Sequence, residues 1–184
     1  MALIEVTPEI LVASGDVTLI GAAELEQVKR MALASPSGRA RICAHQKSSD
    51  ALHEMLIAMG GGRYVRPHAH YGKSESFHMV EGELTIVLFA NDGRIQQLVD
   101  LSATGAQSLY YRLSSPTVHT VVLRTALAVF HETTNGPFRP SDAYFPAWSP
   151  DERNTSGASV FLERLLVDID KFRRRVVSCT LRVL

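Results

Sequence analysis

His68, His70 and Glu75 stand within eight positions of one another, bracketed by Gly62 and Gly82. Side chains alternate across a strand, so His68 and His70 project from one face. The stretch Tyr71-Gly72-Lys73-Ser74 can reverse the chain, with Gly72 free to take a positive φ. Glu75 then opens a returning strand, Ser76 to Val80, and faces the two imidazoles. Two nitrogens and a carboxylate oxygen make half of a site for a borderline divalent metal. Three polar residues on a strand rim would be the plain alternative, but the complete ligand spacing favours metal.

The surrounding pattern is β. From Arg41 to about Phe138, short apolar runs alternate with turn residues: Arg41 to His45, His53 to Met59, Arg63 to His68, Ser76 to Val80, Glu83 to Phe89, Ile95 to Leu101, Ser108 to Leu113, His119 to Leu123 and Leu127 to His131. Asn91-Asp92-Gly93 is a strong hairpin turn. Strands at this density predict an all-β sandwich or barrel. Pro8 interrupts Leu3 to Val12, which reads as an edge strand or arm. Leu25, Val28, Met31 and Ala32 have helix spacing over 22–34, and Ser35-Pro36-Ser37-Gly38 ends that helix. Phe161, Leu162, Leu165, Leu166, Ile169, Phe172 and Val176 form a second helical stripe over 158–176. It must bury on its own barrel or on a second chain. The chain thus divides into an arm and helix (1–40), a barrel (41–138), and a rim loop with a C-terminal helix on the same domain (139–184).

The spacing of Gly62, His68, His70, Glu75 and Gly82 resembles the first motif of the cupin superfamily. Gly62-Arg63-Tyr64-Val65-Arg66-Pro67-His68, Lys73-Ser74-Glu75-Ser76-Phe77-His78, Phe130 to Phe138 and Ala147-Trp148-Ser149-Pro150 further resemble the WbuC-type cupin-fold metalloproteins, over roughly residues 20 to 152. The resemblance implies a jelly-roll β-barrel. It also implies that His119, in the degenerate second motif Pro116-Thr117-Val118-His119, is the fourth ligand. One divalent ion per chain (Zn, Fe, Ni or Mn) is the implied cofactor. WbuC-type proteins are found near surface-polysaccharide genes, which implies work on a sugar or sugar-nucleotide.

Other residues are candidates around such a centre. Tyr64 and Arg66 share parity with His68, so a regular strand points them at the pocket, where Arg66 would be a fork for carboxylate or phosphate. One of Tyr110 and Tyr111 faces inward, and Tyr111 is the candidate for orienting a ligand. Either parity places His131 or Glu132 inward as a proton-transfer group, because burying such a side chain is costly unless it is paired. Arg173-Arg174-Arg175 reads as the solvated face of the last helix.

The 184 residues carry 19 basic and 19 acidic side chains, a formal net charge of zero. That argues against nucleic acid or an anionic membrane as a partner. Cys43 and Cys179 lie far apart and read as stray thiols. No apolar run approaches the ~20 residues of a spanning helix, and no basic-then-apolar leader is present, so a cytoplasmic protein is expected. The uncovered stripe, with Leu3 to Val12 as a pairing edge, predicts a homodimer. Two functions fit: a metal-dependent sugar isomerase, or a cupin that binds or senses a small polar molecule without turnover. With Fe(II) the same ligands permit dioxygenase chemistry.

Overall fold

The computed structural model describes residues 2–180, with side chains up to residue 176. Twelve strands and two helices follow in order: β1 (Ala2–Thr7), β2 (Ile10–Ser14), α1 (Ala22–Ala34), β3 (Arg39–Cys43), β4 (Leu52–Gly60), β5 (Ala69–His70), β6 (Glu75–Glu81), β7 (Glu83–Phe89), β8 (Ile95–Ser102), β9 (Tyr110–Leu113), β10 (His119–Leu123), β11 (Leu127–Asn135), β12 (Ala143–Tyr144) and α2 (Thr155–Thr180). A seven-stranded sheet of order β1-β2-β3-β4-β11-β6-β9 faces a three-stranded sheet of order β10-β7-β8, and β12 pairs with β5. This is a β-rich jelly roll whose sheets do not close into a continuous hydrogen-bonded ring.

Strand β7 shows why the two sheets stay together. Leu84, Ile86 and Leu88 point into the space between the sheets, against Met59, Phe77 and Phe130. Val87 and Phe89 point the other way, against Leu165 and Ile169 of α2. A strand covered on both faces reads as a continuous apolar run rather than an alternating one. Helix α1 covers the outer face of the large sheet in the same manner, with Val28 and Ala32 on Leu11, Ile42 and Leu56.

The last helix therefore covers its own domain. Of the predicted stripe, Leu165 and Ile169 are buried, whereas Leu166 and Val176 are about half exposed. Arg173 is not on a solvated face: it donates to Asp100 on β8 at 2.6 Å and to the Thr85 hydroxyl at 3.1 Å. The helix also runs past the predicted end at 176 to Thr180. Of the apolar tail 176–184, residues 181–184 lie outside the described residues.

Three further expectations are adjusted. The interrupted segment Leu3 to Val12 forms a hairpin, β1 and β2, with Pro8 in its turn, and it extends the large sheet. Strand β11 continues to Asn135, past His131, because it pairs along its length with β4 and β6. Residues 63–67 form no strand: Pro67 lacks the N–H a ladder needs, and pairing resumes only at His68.

Candidate functional site

His68 meets His119 through an antiparallel bridge, with N–H to carbonyl distances of 3.0 and 2.8 Å. The bridge sets the two rings side by side, their centroids 4.7 Å apart. His70, two residues further on in β5, lies 4.8 Å from His68 ring to ring. The turn after it, with Gly72 at φ +69°, brings Glu75 to the first position of β6. Glu75 Oε1 is 2.7 Å from His119 Nε2, and its Oε2 is 3.8 Å from His70 Nε2. The turn geometry expected from sequence thus assembles the three motif residues, and β10 adds His119.

Hydrogen bonding fixes what these rings present. His68 Nδ1 lies 2.7 Å from the Arg66 carbonyl and His119 Nδ1 lies 3.0 Å from the Thr117 carbonyl. A carbonyl only accepts, so both Nδ1 atoms carry hydrogen, and in a neutral ring Nε2 is left with a bare lone pair. At His119 that lone pair faces a carboxylate oxygen. Glu75 Oε1 is itself buried with no hydrogen-bond donor among the described residues. Two acceptors at 2.7 Å repel unless a cation lies between or beside them. A proton on His119 satisfies the pair, and so does a metal ion. Backbone carbonyls holding Nδ1–H are also how metal-binding histidines are commonly oriented.

The electrostatics agree. Burial, then the neighbouring His119, pushes His68 down to about 4, so it is neutral near pH 7. Burial also lowers His70, against the pull of Glu75. Burial works against the charged forms of Glu75 and His119 too, but their mutual contact outweighs it. Glu75 is held below its ordinary value and His119 above.

Donors that share one ion at ~2.1 Å stand about 3.0–3.4 Å apart. The observed 2.7 and 3.8 Å lie on either side of that range. Among the described residues no three His, Cys, Asp or Glu side chains form a finished metal site. The donor set fits a borderline divalent ion in type and protonation, and the four side chains would have to adjust by fractions of an ångström to close on one.

The cluster forms one end of a cavity of about 590 Å³. Its floor is the inner face of the large sheet. Register gives the layout: Cys43 is opposite Met55, Met55 opposite Glu132, and Glu132 opposite Phe77. Glu132 therefore faces in, one strand away from Glu75. Burial, then the charge of Glu75, raises its carboxyl well above the usual carboxylate range.

Its neighbour His131 takes the other face, with Nε2 3.9 Å from Glu54 and a side chain 39% exposed. It does not line the cavity. Tyr64 and Arg66 do not line it either, since the strand parity expected for them is absent. The Tyr64 hydroxyl donates to the Pro150 carbonyl at 2.9 Å. Arg66 donates to Ser149 and Asp151 at 3.2 and 3.1 Å, and its guanidinium lies 4.6 Å from the Phe145 ring centroid. Both residues clamp the segment that leads into α2. Tyr111 is buried against Phe77, and its hydroxyl has no partner among the described residues. Burial, then the charge of Glu75, raises its phenol.

Cavity residues not anticipated from sequence come chiefly from β3 and β4. His45 and His53 stack at 3.9 Å with planes 7° apart. Arg41 and Cys43 lie on the same face. Alternation along β3 and just past its end could have linked Arg41, Cys43 and His45, but which face was inward depended on the partner sheet.

The chain resembles known proteins to a limited extent. A family described as a domain of unknown function (DUF6016) matches residues 20–101, somewhat less than half of the chain. No curated protein matches. Among solved structures, a protein of Shewanella oneidensis aligns over 60% of this chain and 75% of its own, at 10% identity and a TM-score of 0.49. The capsular polysaccharide assembling protein CapF from Staphylococcus aureus aligns over 58% of this chain at 18% identity and a TM-score of 0.46. Oxalate decarboxylase from Bacillus subtilis aligns over 53% at 17% identity and a TM-score of 0.42. The matched regions are 31% of the CapF chain and 24% of the decarboxylase chain.

Proposed function

We propose that this is a metal-dependent cupin of the WbuC type, which holds one divalent ion on His68, His70, Glu75 and His119 and acts on a sugar or sugar-nucleotide for a surface polysaccharide, as an isomerase. The observation that carries the metal reading is the meeting of His119 Nε2 with buried Glu75 Oε1 at 2.7 Å while His119 Nδ1 is committed to a carbonyl. Bound there, the ion would polarise a carbonyl or hydroxyl oxygen of the ligand.

The chain's own residues supply the remainder. Met55, Ile57 and Phe130 give the cavity apolar walls that limit water around the bound molecule. Glu132 stands one strand from the cluster with a carboxyl that stays protonated at a higher pH than usual. Such a group can hold a proton over the ligand and exchange it with a neighbouring carbon or oxygen. Tyr111, expected to orient a ligand, is instead buried in the core against Phe77 and does not line the cavity.

The second reading is a cupin that binds a small polar molecule without turnover. The outward position of His131 favours it, because of the two proton-transfer candidates expected there Glu132 alone faces the cavity. An Fe(II)-dependent oxygenase is the third reading and needs only the same ligands.

One experiment separates these readings. The protein is purified without added metal, its metal content is measured, and it is then screened against sugar-nucleotides and for oxygen consumption. About one ion per chain with sugar turnover supports the isomerase, and oxygen uptake supports the oxygenase. Metal with neither supports the binding protein, and absence of metal after careful handling removes all three in their metal form.

Assembly is part of the same proposal. Helix α2 is covered by its own sheet, so the case for a homodimer now rests on the outer edge of β1, where Ile4 and Val6 are 55% and 61% exposed. Strand addition across that edge would give a two-fold dimer. Light scattering at micromolar concentration is the check, and a monomer mass ends the idea.

A further inference from the structure

The cavity is charged asymmetrically. Register places Arg41 on β3, with β4 and β11 between it and β6, where Glu75 begins. Three strand spacings across and four residues along the strands separate them, about 19 Å between backbones. Directly across the floor from Arg41 come Ile57 and Phe130, and Glu132 lies on the diagonal from Arg41 toward the histidine cluster.

Arg41 lines the cavity and forms no ion pair among the described residues, although its charge acts on Glu9 and Glu132 from a distance. The nearest acids are otherwise engaged. Glu9 accepts hydrogen bonds from Ser35 and Ser37. Glu132 is two strands away. Other cations of the same cavity are paired: Arg39 with Glu152 at 2.9 Å and Lys73 with Asp142 at 3.5 Å.

Two more cations, Lys47 and Arg139, line the cavity with no ion pair among the described residues. Phe138 N–H bonds to the Ser48 carbonyl at 2.8 Å, which draws the loops bearing Lys47 and Arg139 together. Asp50, the acid closest to Lys47, spends its carboxylate on the backbone N–H groups of Gln46 and Lys47, at 3.0 and 3.1 Å. Like charges that meet around a concavity without close ion-pair partners raise the local potential and favour an anion there. Guanidinium groups in particular match phosphate oxygens as a fork.

We propose that the β3 side of this cavity, with Arg41 as its anchor and Lys47 and Arg139 at the rim, binds the phosphate groups of a phosphorylated ligand whose other end lies at the His68–His119 cluster. The ligand this implies carries a sugar at one end and a diphosphate at the other, with Glu132 on the diagonal between the two. This inference rests on the reading of the cavity as the ligand site and adds the substrate's charge and orientation to it.

The test uses the full chain after chelator treatment, so that no metal can hold phosphate. Binding of pyrophosphate, UDP and an uncharged hexose is measured by calorimetry at low and high salt. Pyrophosphate and UDP are expected to bind, to weaken as salt rises, and to lose tenfold or more in affinity in R41Q, with R41K intermediate. The K47Q/R139Q variant is expected to lose a smaller factor. Circular dichroism confirms that each variant is folded. The proposal is overturned if wild-type protein binds neither diphosphate at millimolar concentration, or if folded R41Q and K47Q/R139Q both bind as wild type does. Metal content, measured separately on untreated protein, decides the metal reading whatever the phosphate result.

Discussion

His119 Nε2 lies 2.7 Å from Glu75 Oε1, and the two residues come from opposite sheets. One contact therefore joins the sheets at the cavity end and leaves a carboxylate oxygen facing a ring nitrogen whose proton is not provided by its neutral form. If a divalent ion uses this arrangement, H70A and E75Q should each reduce metal from about one ion per chain to a small fraction, since three remaining ligands hold a labile ion weakly. Metal analysis of the purified variants checks this. Full metal content in both would show that the cluster is structural.

Glu132 and His131 are adjacent in sequence and opposite in orientation. In the isomerase reading E132Q should lower kcat by about 10²-fold or more while keeping its metal. H131A should change turnover little, because its side chain lies beside Glu54 on the outer face. An H131A defect as large as that of E132Q would contradict the placement.

Helix α2 is held by apolar packing and by the ion pair of Arg173 with Asp100. Ile169→Ala opens space against the outer face of β7 and should cost about 2–5 kcal/mol in urea unfolding. Arg173→Ala should cost less, since its pair with Asp100 is about one-third exposed and partly screened. Equal losses would mean that the ion pair, not the packing, seats the helix.

Gly82 has φ +77°, and a Cβ there would stand 2.4 Å from the Leu127 carbonyl oxygen and 2.7 Å from Thr125 Oγ1. This turn joins β6 to β7 and so links the two sheets. Gly82→Ala should lower stability by about 1–3 kcal/mol through strain at positive φ, with further loss from the backbone clash. A thermal melt within error of wild type would refute that.

Cys43 lies on the cavity floor, and burial raises its thiol pKa. The thiolate is the reactive form, so a raised pKa means less of it at neutral pH. In a Cys179→Ser background, alkylation by iodoacetamide at pH 7.5 should be more than tenfold slower than that of a free thiol. Its rate should keep rising above about pH 8.5, where an ordinary thiol levels off. Fast modification at pH 7.5 would place Cys43 in a wet, activated setting instead.

Much of this protein is local and was legible in the chain. The Asn91-Asp92-Gly93 turn joins β7 to β8, with Gly93 at φ +85°. Helix α1 spans 22–34 as its apolar spacing requires. The short turn between His70 and Glu75 brings three ligand-type side chains together, because strand alternation and chain reversal act over only a few residues. What the sequence could not decide were matters of partner and facing. Arg66 and Tyr64 turn to the segment before α2 because Pro67 denies them a strand, and the groups they bond, Ser149 to Asp151, are remote in sequence. The choice between His131 and Glu132 depended on which face of β11 meets the other sheet. The pairing of Arg173 with Asp100 and the facing of Arg41 into the cavity depended on where α2 and the loops came to rest. A strand's own residues fix its alternation, but only the layer packed against it fixes which side is inside.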